Sequence, residues 1–486
     1  MRDNSLLRLV VLRVLVVSIM LTLVGRLAYL QLAEGDRFDK AATTNRVRQI
    51  ITPAARGQIL DARGVPFVSN RTDLVVSVTR SIVRSQPKEG ADVLARLAKV
   101  VGIPGEQIAL LITPCGEKQK DGTRAKAPRC WNGAPQQPVP IKSYRVDDPQ
   151  QIRAILAIEE RNEDFPGIDA RYAAVREYPQ RALAAHVLGY LGPLSEDQQK
   201  QSQYKDRPSG SVIGQTGVEE VYDERLRGVD GVQSLQVDLN SEVTATLGEV
   251  PPVAGDNVVL SLDAGLQQAA ESALAAGMAS ARTRFDRLRG KKFPASRGAA
   301  IVVDVTNGQV VAMASNPTYE PSLFVPRITR ANYDRLTSTP GDPLISNATQ
   351  GLYPPGSTFK VVSTAAAVAA GNSLDGRYPC PPSFKVGNRQ FRNYEGETFG
   401  TIDFRTTLIK SCDTVYYKLA YDEWVRDGAT VNRASANERF PKMARAWGFG
   451  SKSGVDLPDE RRGVISDRSY KQRFWDQNKK VKCKRA

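Results

Sequence analysis

From Leu9 to Leu32 the chain is apolar at almost every position. Its uncharged core, Val14 to Gly25, covers only 12 residues. The longer stretch crosses a bilayer if Arg13 and Arg26 snorkel to the two interfaces. Residues 34–250 follow as short apolar runs broken by turn residues. They read as short strands, with helices near Gly90 to Val101 and Asp148 to Arg161. Pro251 to Asp256 reads as a linker, Asn257 to Leu262 as a strand, and Asp263 opens a helix running to about Leu288. Gly298 to Val305 and Gln309 to Ser315 form a hairpin pattern around Thr306-Asn307-Gly308. Two prolines and a glycine forbid a helix up to Gly356, but Thr358 to Ala370 is helical in pattern and stops at Gly371. Phe404 to Tyr421 continues as helix. Strands followed by helices predict an α/β or α+β domain from about residue 251 onward.

The 486 residues suggest two to three domains. With 41% hydrophobic and 24% charged residues the composition is that of an ordinary folding chain. The net charge is +15, and residues 461–486, with ten Lys/Arg against two Asp, supply +8 of it. That end reads as a solvated tail; its charge also suits an anionic surface of lipid, nucleic acid or wall polymer. Five cysteines are too few for a disulfide scaffold. Cys115 and Cys130 bracket a polar loop and could pair in an exported chain, whereas Cys380, Cys412 and Cys483 show no clear partner. One histidine and no CxxC argue against a zinc site, and neither metal nor cofactor is expected. His186 lies in an apolar stretch and reads as a packing residue.

Arg2, Arg8 and Arg13 precede the apolar segment, and Glu34 and Asp36 follow it. The positive-inside rule then puts the N-terminus in the cytoplasm and the bulk of the chain outside. Arg26 directly after the core, and the lack of an A-x-A site, favour an anchor over a cleaved signal peptide.

Two short motifs carry candidate chemistry. Ser357 sits at a helix N-terminus, where free N–H groups favour negative charge, and Lys360 follows on the same face. A hydroxyl and an amine one turn apart make a nucleophile and its base, provided the amine is partly desolvated and neutral. S-x-x-K alone recurs by chance about once or twice in a chain this long. The rigid Tyr353-Pro354-Pro355-Gly356 turn before it, and the apolar helix after it, set this copy apart. The second motif is Ser411-Cys412-Asp413, at a break in an apolar element. Ser411 is placed to relay a proton to a leaving amine, and Asp413 to position that serine or the lysine. Cys412 reads as a buried small residue.

Ser357-x-x-Lys360 with Ser411-x-Asp413 resembles the penicillin-binding, serine-acylating transpeptidases. The run from Pro343-Leu344 through Gly351-Leu352 to Lys360 is similar to the class B penicillin-binding proteins in particular. So are the strings Arg56 to Gly64, Arg176 to Tyr190 and Gly214 to Gly231, which match that class's non-catalytic pedestal. Asp413, where division-type members carry Asn, resembles the elongation-type branch.

The resemblance implies a multidomain α+β chain: cytoplasmic residues 1–8, a transmembrane anchor 9–32, a pedestal 34–250, a transpeptidase domain 251–465 with a mixed sheet and helices on both sides, and a basic tail 466–486. It implies acylation of Ser357 by the D-Ala-D-Ala end of a peptidoglycan stem peptide, with Lys360 as base. The acyl group then passes to an amine of a neighbouring stem. β-Lactams would trap Ser357 as a slow ester. Partners implied are a SEDS-type glycosyltransferase and other elongation proteins in the bacterial cell membrane, not nucleic acid. A non-catalytic pedestal protein that activates such a glycosyltransferase is the alternative, and the long pedestal argues against a β-lactamase or penicillin sensor.

The family also uses a K-[ST]-G element on an edge strand beside the serine. The one textual match, Lys452-Ser453-Gly454, falls in the glycine-punctuated run Trp447 to Pro458, which reads as a turn. The C-terminal part of the catalytic domain is therefore expected to be missing, and the 486-residue chain weakly active or inactive alone.

Overall fold

The computed structural model describes residues 4–33, 47–118, 122–125, 130–133, 137–205, 207, 210–237, 243–287, 289–429 and 436–482. Arg2, Glu34, Asp36, Leu288 and Cys483, used above, lie outside the described residues. Helix α1 (Asn4–Ala28) runs into a π-helical turn, Tyr29–Ala33. Val10 to Gln31 is long and apolar enough to cross a membrane, and its side chains face no protein.

The pedestal is organised by β3 (Pro66–Thr79), which follows β1 (Val47–Thr52) and β2 (Ile59–Leu60). Its alternation places Leu74, Val76 and Val78 on one buried face. Helix α2 (Ala91–Val101) presents Val93, Leu94, Leu97 and Val101 to the same core. Strand β4 (Pro138–Arg145), helix α3 (Pro149–Glu160) and strand β5 (Ile168–Glu177) complete the layer, with β4 and β5 pairing antiparallel to β3. Cys115 and Cys130 are bonded to each other. Helix α4 (Gly217–Val221) supplies Glu219, whose fully buried carboxylate meets Arg56 and Arg176, each at 2.7 Å. Arg176 also donates to the Gly57 carbonyl at 2.6 Å, so one ionic cluster ties three segments together. A separate sheet joins β1 to β6 (Gly231–Val237) and β7 (Val243–Val250).

Two expectations for the next stretch are corrected. Pro251 to Asp256 is no free linker: Gly255 N–H donates to Ala55 O, and Asp256 N–H to Arg225 O, both at 2.9 Å. The approach is so close that a Cβ on Gly57 would sit 1.8 Å from the Asp256 oxygen. The strand expected over Asn257 to Leu262 shrinks to β8 (Val258–Val259), which pairs parallel with β2 of the pedestal. Ile59, Phe67 and Val68 share a core with Leu262 and Met313, joining the two halves by apolar packing.

Helix α5 (Ala264–Thr283) is capped by Asp263, which accepts from Leu266 N–H at 2.9 Å. It packs on the hairpin β9 (Gly298–Val303) and β10 (Val310–Asn316); among the described residues these two strands pair only with each other. The described C-terminal end is helix α9 (Arg468–Lys482), where a disordered solvated end was expected. Asp467 caps it, accepting from Tyr470 N–H at 2.7 Å, and Arg468 N–H reaches Glu438 at 2.9 Å.

His186 packs edge-on against Tyr319 and its Nε2 lies 2.7 Å from the Pro343 carbonyl, which fixes the proton on Nε2. Burial, opposed by that hydrogen bond, pushes the imidazole down to about 4 from 6.5. Between these values the unfolded chain binds a proton that the folded chain refuses. The stabilisation is complete above pH 6.5 and is lost as pH falls toward 4, amounting to roughly 3 kcal/mol. Denaturant titrations at pH 7 and pH 5 should show about 2 kcal/mol of this loss, and His186→Gln should flatten it.

Candidate active site

Gly356, at φ +59°, starts a 3-10 turn over Gly356–Phe359 that continues into α6 (Lys360–Ala369). Helix α6 is held by a buried stripe, Val362, Ser363, Ala366 and Ala367. Lys360 lies on the stripe formed with Ser363 and Ala367, so its side chain is carried inward and is 9% exposed. Ser357, one turn earlier, is exposed.

The facing wall follows strand β11 (Tyr378–Cys380), hairpin β12 (Ser383–Val386) and β13 (Arg389–Arg392), and β14 (Gly400–Ile402). Helix α7 (Phe404–Lys410) starts at the Asp403 cap and ends at Ser411, held in the left-handed region at φ +54°. Helix α8 restarts at once, over Asp413–Arg426. A non-glycine residue in that conformation is uncommon and signals a geometry imposed by its surroundings. The break turns the Ser411 carbonyl and hydroxyl toward Lys360.

Lys360 Nζ is 3.3 Å from Ser357 Oγ, 2.9 Å from Ser411 Oγ and 2.6 Å from Asp413 Oδ1, and it also donates to the Ser411 carbonyl. Ser411 Oγ donates to Ser357 Oγ at 2.9 Å. Two donors thus aim at the Ser357 oxygen, an arrangement that favours its anionic form. All four sequence-derived residues meet in one cluster, which opens to solvent at the two serine hydroxyls. One aspect differs from the sequence reading. That reading asked only for a desolvated lysine; here the Asp413 carboxylate and three further oxygens, from Ser357 and Ser411, surround Nζ.

Two components escaped the sequence reading. Cys380 and Cys412 are joined by a disulfide, although neither had shown a partner. Buried Asn393 accepts from the N–H groups of Asp413 and Thr414 at 2.9 and 3.0 Å. The sequence held no local signal for either: nothing among five cysteines paired Cys380 with Cys412, and Asn393 lies 20 residues before Asp413.

Comparison with known proteins decides the family. Residues 51–260 match the penicillin-binding protein dimerisation domain, and residues 298–478 match the penicillin-binding protein transpeptidase domain. The chain belongs to the class B penicillin-binding proteins. A relative from Acinetobacter baumannii, peptidoglycan D,D-transpeptidase MrdA, is 30% identical over 94% of this chain and 61% of its own length. The Escherichia coli protein of the same name is 28% identical over 93% of this chain and 64% of its own. The chain thus spans under two thirds of the curated relatives it matches. Among solved structures, that of the penicillin-binding protein PBP2 from Helicobacter pylori in complex with MreC shares the fold, with TM-score 0.65 at 23% identity over 88% of this chain and 71% of that one. A chain of a peptidoglycan synthase complex gives 0.58 at 25% identity, over 96% and 72%. Lys452-Ser453-Gly454 is exposed and lies outside any strand.

Proposed function

We propose that this chain is a serine D,D-transpeptidase of the elongation type, acting on peptidoglycan stem peptides. The observation that carries the reading is the triangle of Ser357 Oγ, Lys360 Nζ and Ser411 Oγ, with sides of 3.3, 2.9 and 2.9 Å. Lys360, held in place by Asp413 at 2.6 Å, is the base that takes the Ser357 proton. The alkoxide attacks the carbonyl between the two D-alanines. The Ser357 N–H lies in the first helical turn, whose N–H groups lack intrahelical acceptors, and so is one donor to the oxyanion. Loss of such a donor elsewhere slows chemistry by about 3 kcal/mol. Ser411 relays a proton to the departing D-alanine, leaving an ester on Ser357. An amine of a second stem attacks that ester and forms the cross-link. No metal or cofactor enters any step.

The apolar helix suits a single-pass membrane anchor. We infer a cytoplasmic N-terminus and a wall-facing catalytic domain, working with a SEDS-type glycosyltransferase and other elongation proteins; β-lactams would acylate the same serine. The domain division at about residues 34–250 and 251–465 is part of this reading, and the family matches support its order. Because Lys452-Ser453-Gly454 lies outside any strand, turnover by these residues alone is expected to be slow.

Release of D-alanine from a D-Ala-D-Ala pentapeptide, with exchange of an added D-amino acid into the product, tests the reading. Slow exchange that disappears in Ser357→Ala supports a transpeptidase. Equal, background-level release by both folded proteins would leave the pedestal-scaffold alternative.

A further inference from the structure

The second wall of the site has to hold an unfavourable backbone conformation at Ser411 and begin a new helix two residues later. Cys412, at the helix boundary, makes no side-chain cap to α8. The first N–H groups of that helix are satisfied from outside. Asn393 Oδ1 accepts from both Asp413 N–H and Thr414 N–H, a cap delivered across space by a residue 20 positions earlier. Its amide nitrogen is committed too, donating to Pro381 O at 3.0 Å and Glu397 O at 2.8 Å. Asn393 is 5% exposed, so water does not substitute for these bonds. The Cys380–Cys412 disulfide ties the same two segments covalently, and Thr414 Oγ1 adds a bond to Pro381 O at 2.8 Å.

We propose that Asn393, backed by the Cys380–Cys412 bridge, is the positioning residue of this active site. It touches neither Ser357 nor Lys360. It fixes the start of α8, and thereby the Ser411 carbonyl and the Asp413 carboxylate that hold the Lys360 amine. The inference rests on the reading of Ser357 and Lys360 as the reacting pair, but its test does not depend on turnover. An aspartate at 393 keeps the acceptor and places negative charge at a helix N-terminus, where it is favoured, but gives up the bonds to the Pro381 and Glu397 carbonyls. Alanine removes the acceptor; serine shortens it out of reach.

The test is amine labelling of the full-length chain in detergent with acetic anhydride between pH 6 and pH 10. Lys360 is read by peptide mass spectrometry against exposed Lys452. In the unaltered chain Lys360 should react at least tenfold more slowly than Lys452. Asn393→Ala and Asn393→Ser should remove most of that protection and displace the pH profile of Lys360, with Lys452 unchanged. Asn393→Asp, which keeps the Oδ1 acceptor but loses the two donated bonds, should restore the protection in part, above the level of Asn393→Ser. The double variant Cys380→Ala/Cys412→Ala should show a smaller loss of protection. If Asn393→Ala does not fold, the comparison of serine with aspartate decides. Equal Lys360 profiles in folded Asn393→Ser and unaltered protein would overturn the proposal. Were the unaltered chain to take up no penicillin while the labelling order held, the transpeptidase reading would fail and the positioning inference would stand.

Discussion

Lys360→Met should slow the acylation of Ser357 by penicillin about a thousandfold, within the range of 10²–10⁴ typical of a positioned proton acceptor. Methionine keeps the length and apolar stem of the lysine, so the stripe of α6 should still pack. What it lacks is the nitrogen that lies 3.3 Å from Ser357 Oγ and 2.9 Å from Ser411 Oγ. Asp413 loses its cation, but its side chain is 26% exposed and water takes over part of the lost contact. The melting temperature should therefore move little while the rate collapses. Lys360→Arg should fail as well: a guanidinium keeps the charge but does not give up its proton. Stopped-time labelling with a fluorescent penicillin separates these effects. A Lys360→Met chain that labels at the unaltered rate would remove lysine from the mechanism.

Glu219→Ala should destabilise the pedestal by about 3–5 kcal/mol, the usual penalty for leaving a buried ionic partner uncompensated. Its carboxylate bridges Arg56 and Arg176, and its side chain is wholly buried, as is nearly all of Arg176. Asp223 holds Arg56 at 2.8 Å but leaves Arg176 without a carboxylate partner among the described residues. Arg176 still donates to Gly57 O and Asn70 Oδ1, so a full charge remains in an apolar surround on neutral acceptors alone. The same cluster fixes Gly57, which packs against Asp256 at the entry to the second half. Urea titration of the detergent-solubilised chain, followed by tryptophan fluorescence, measures the loss. Glu219→Gln, which keeps the shape and one acceptor, should fall between the two. A shift below about 1 kcal/mol would mean that the cluster is solvated and does not lock the pedestal.

Local chemistry was the legible part of the sequence. The Pro-Pro-Gly turn, the spacing of Ser357 and Lys360, the Asp263 cap and the Thr306-Asn307-Gly308 hairpin are each written within a few neighbouring residues, and the described structure contains them. The joining of Ser411 and Asp413 to Lys360 was offered on residue type and gained its weight only through resemblance, because the segments are 51 residues apart and no periodicity links them. Non-local pairings stayed hidden for the same reason. Val258–Val259 has a good strand composition, but nothing local says that its partner is Ile59–Leu60. Cys380 gave no sign that Cys412 would face it, since that depends on how β11 and α8 meet. The basic tail was misjudged on charge alone: the Asp467 cap and the Tyr470–Phe474 ring pair favour a helix that composition obscures.

The most direct measurement is the mass of the intact chain after exposure to benzylpenicillin, followed by digestion and mapping of the adduct. One penicillin carried on Ser357, accumulating slowly and absent from Ser357→Ala, is the predicted result. No adduct on a folded chain after prolonged exposure, or an adduct on a different residue that persists in Ser357→Ala, would contradict it.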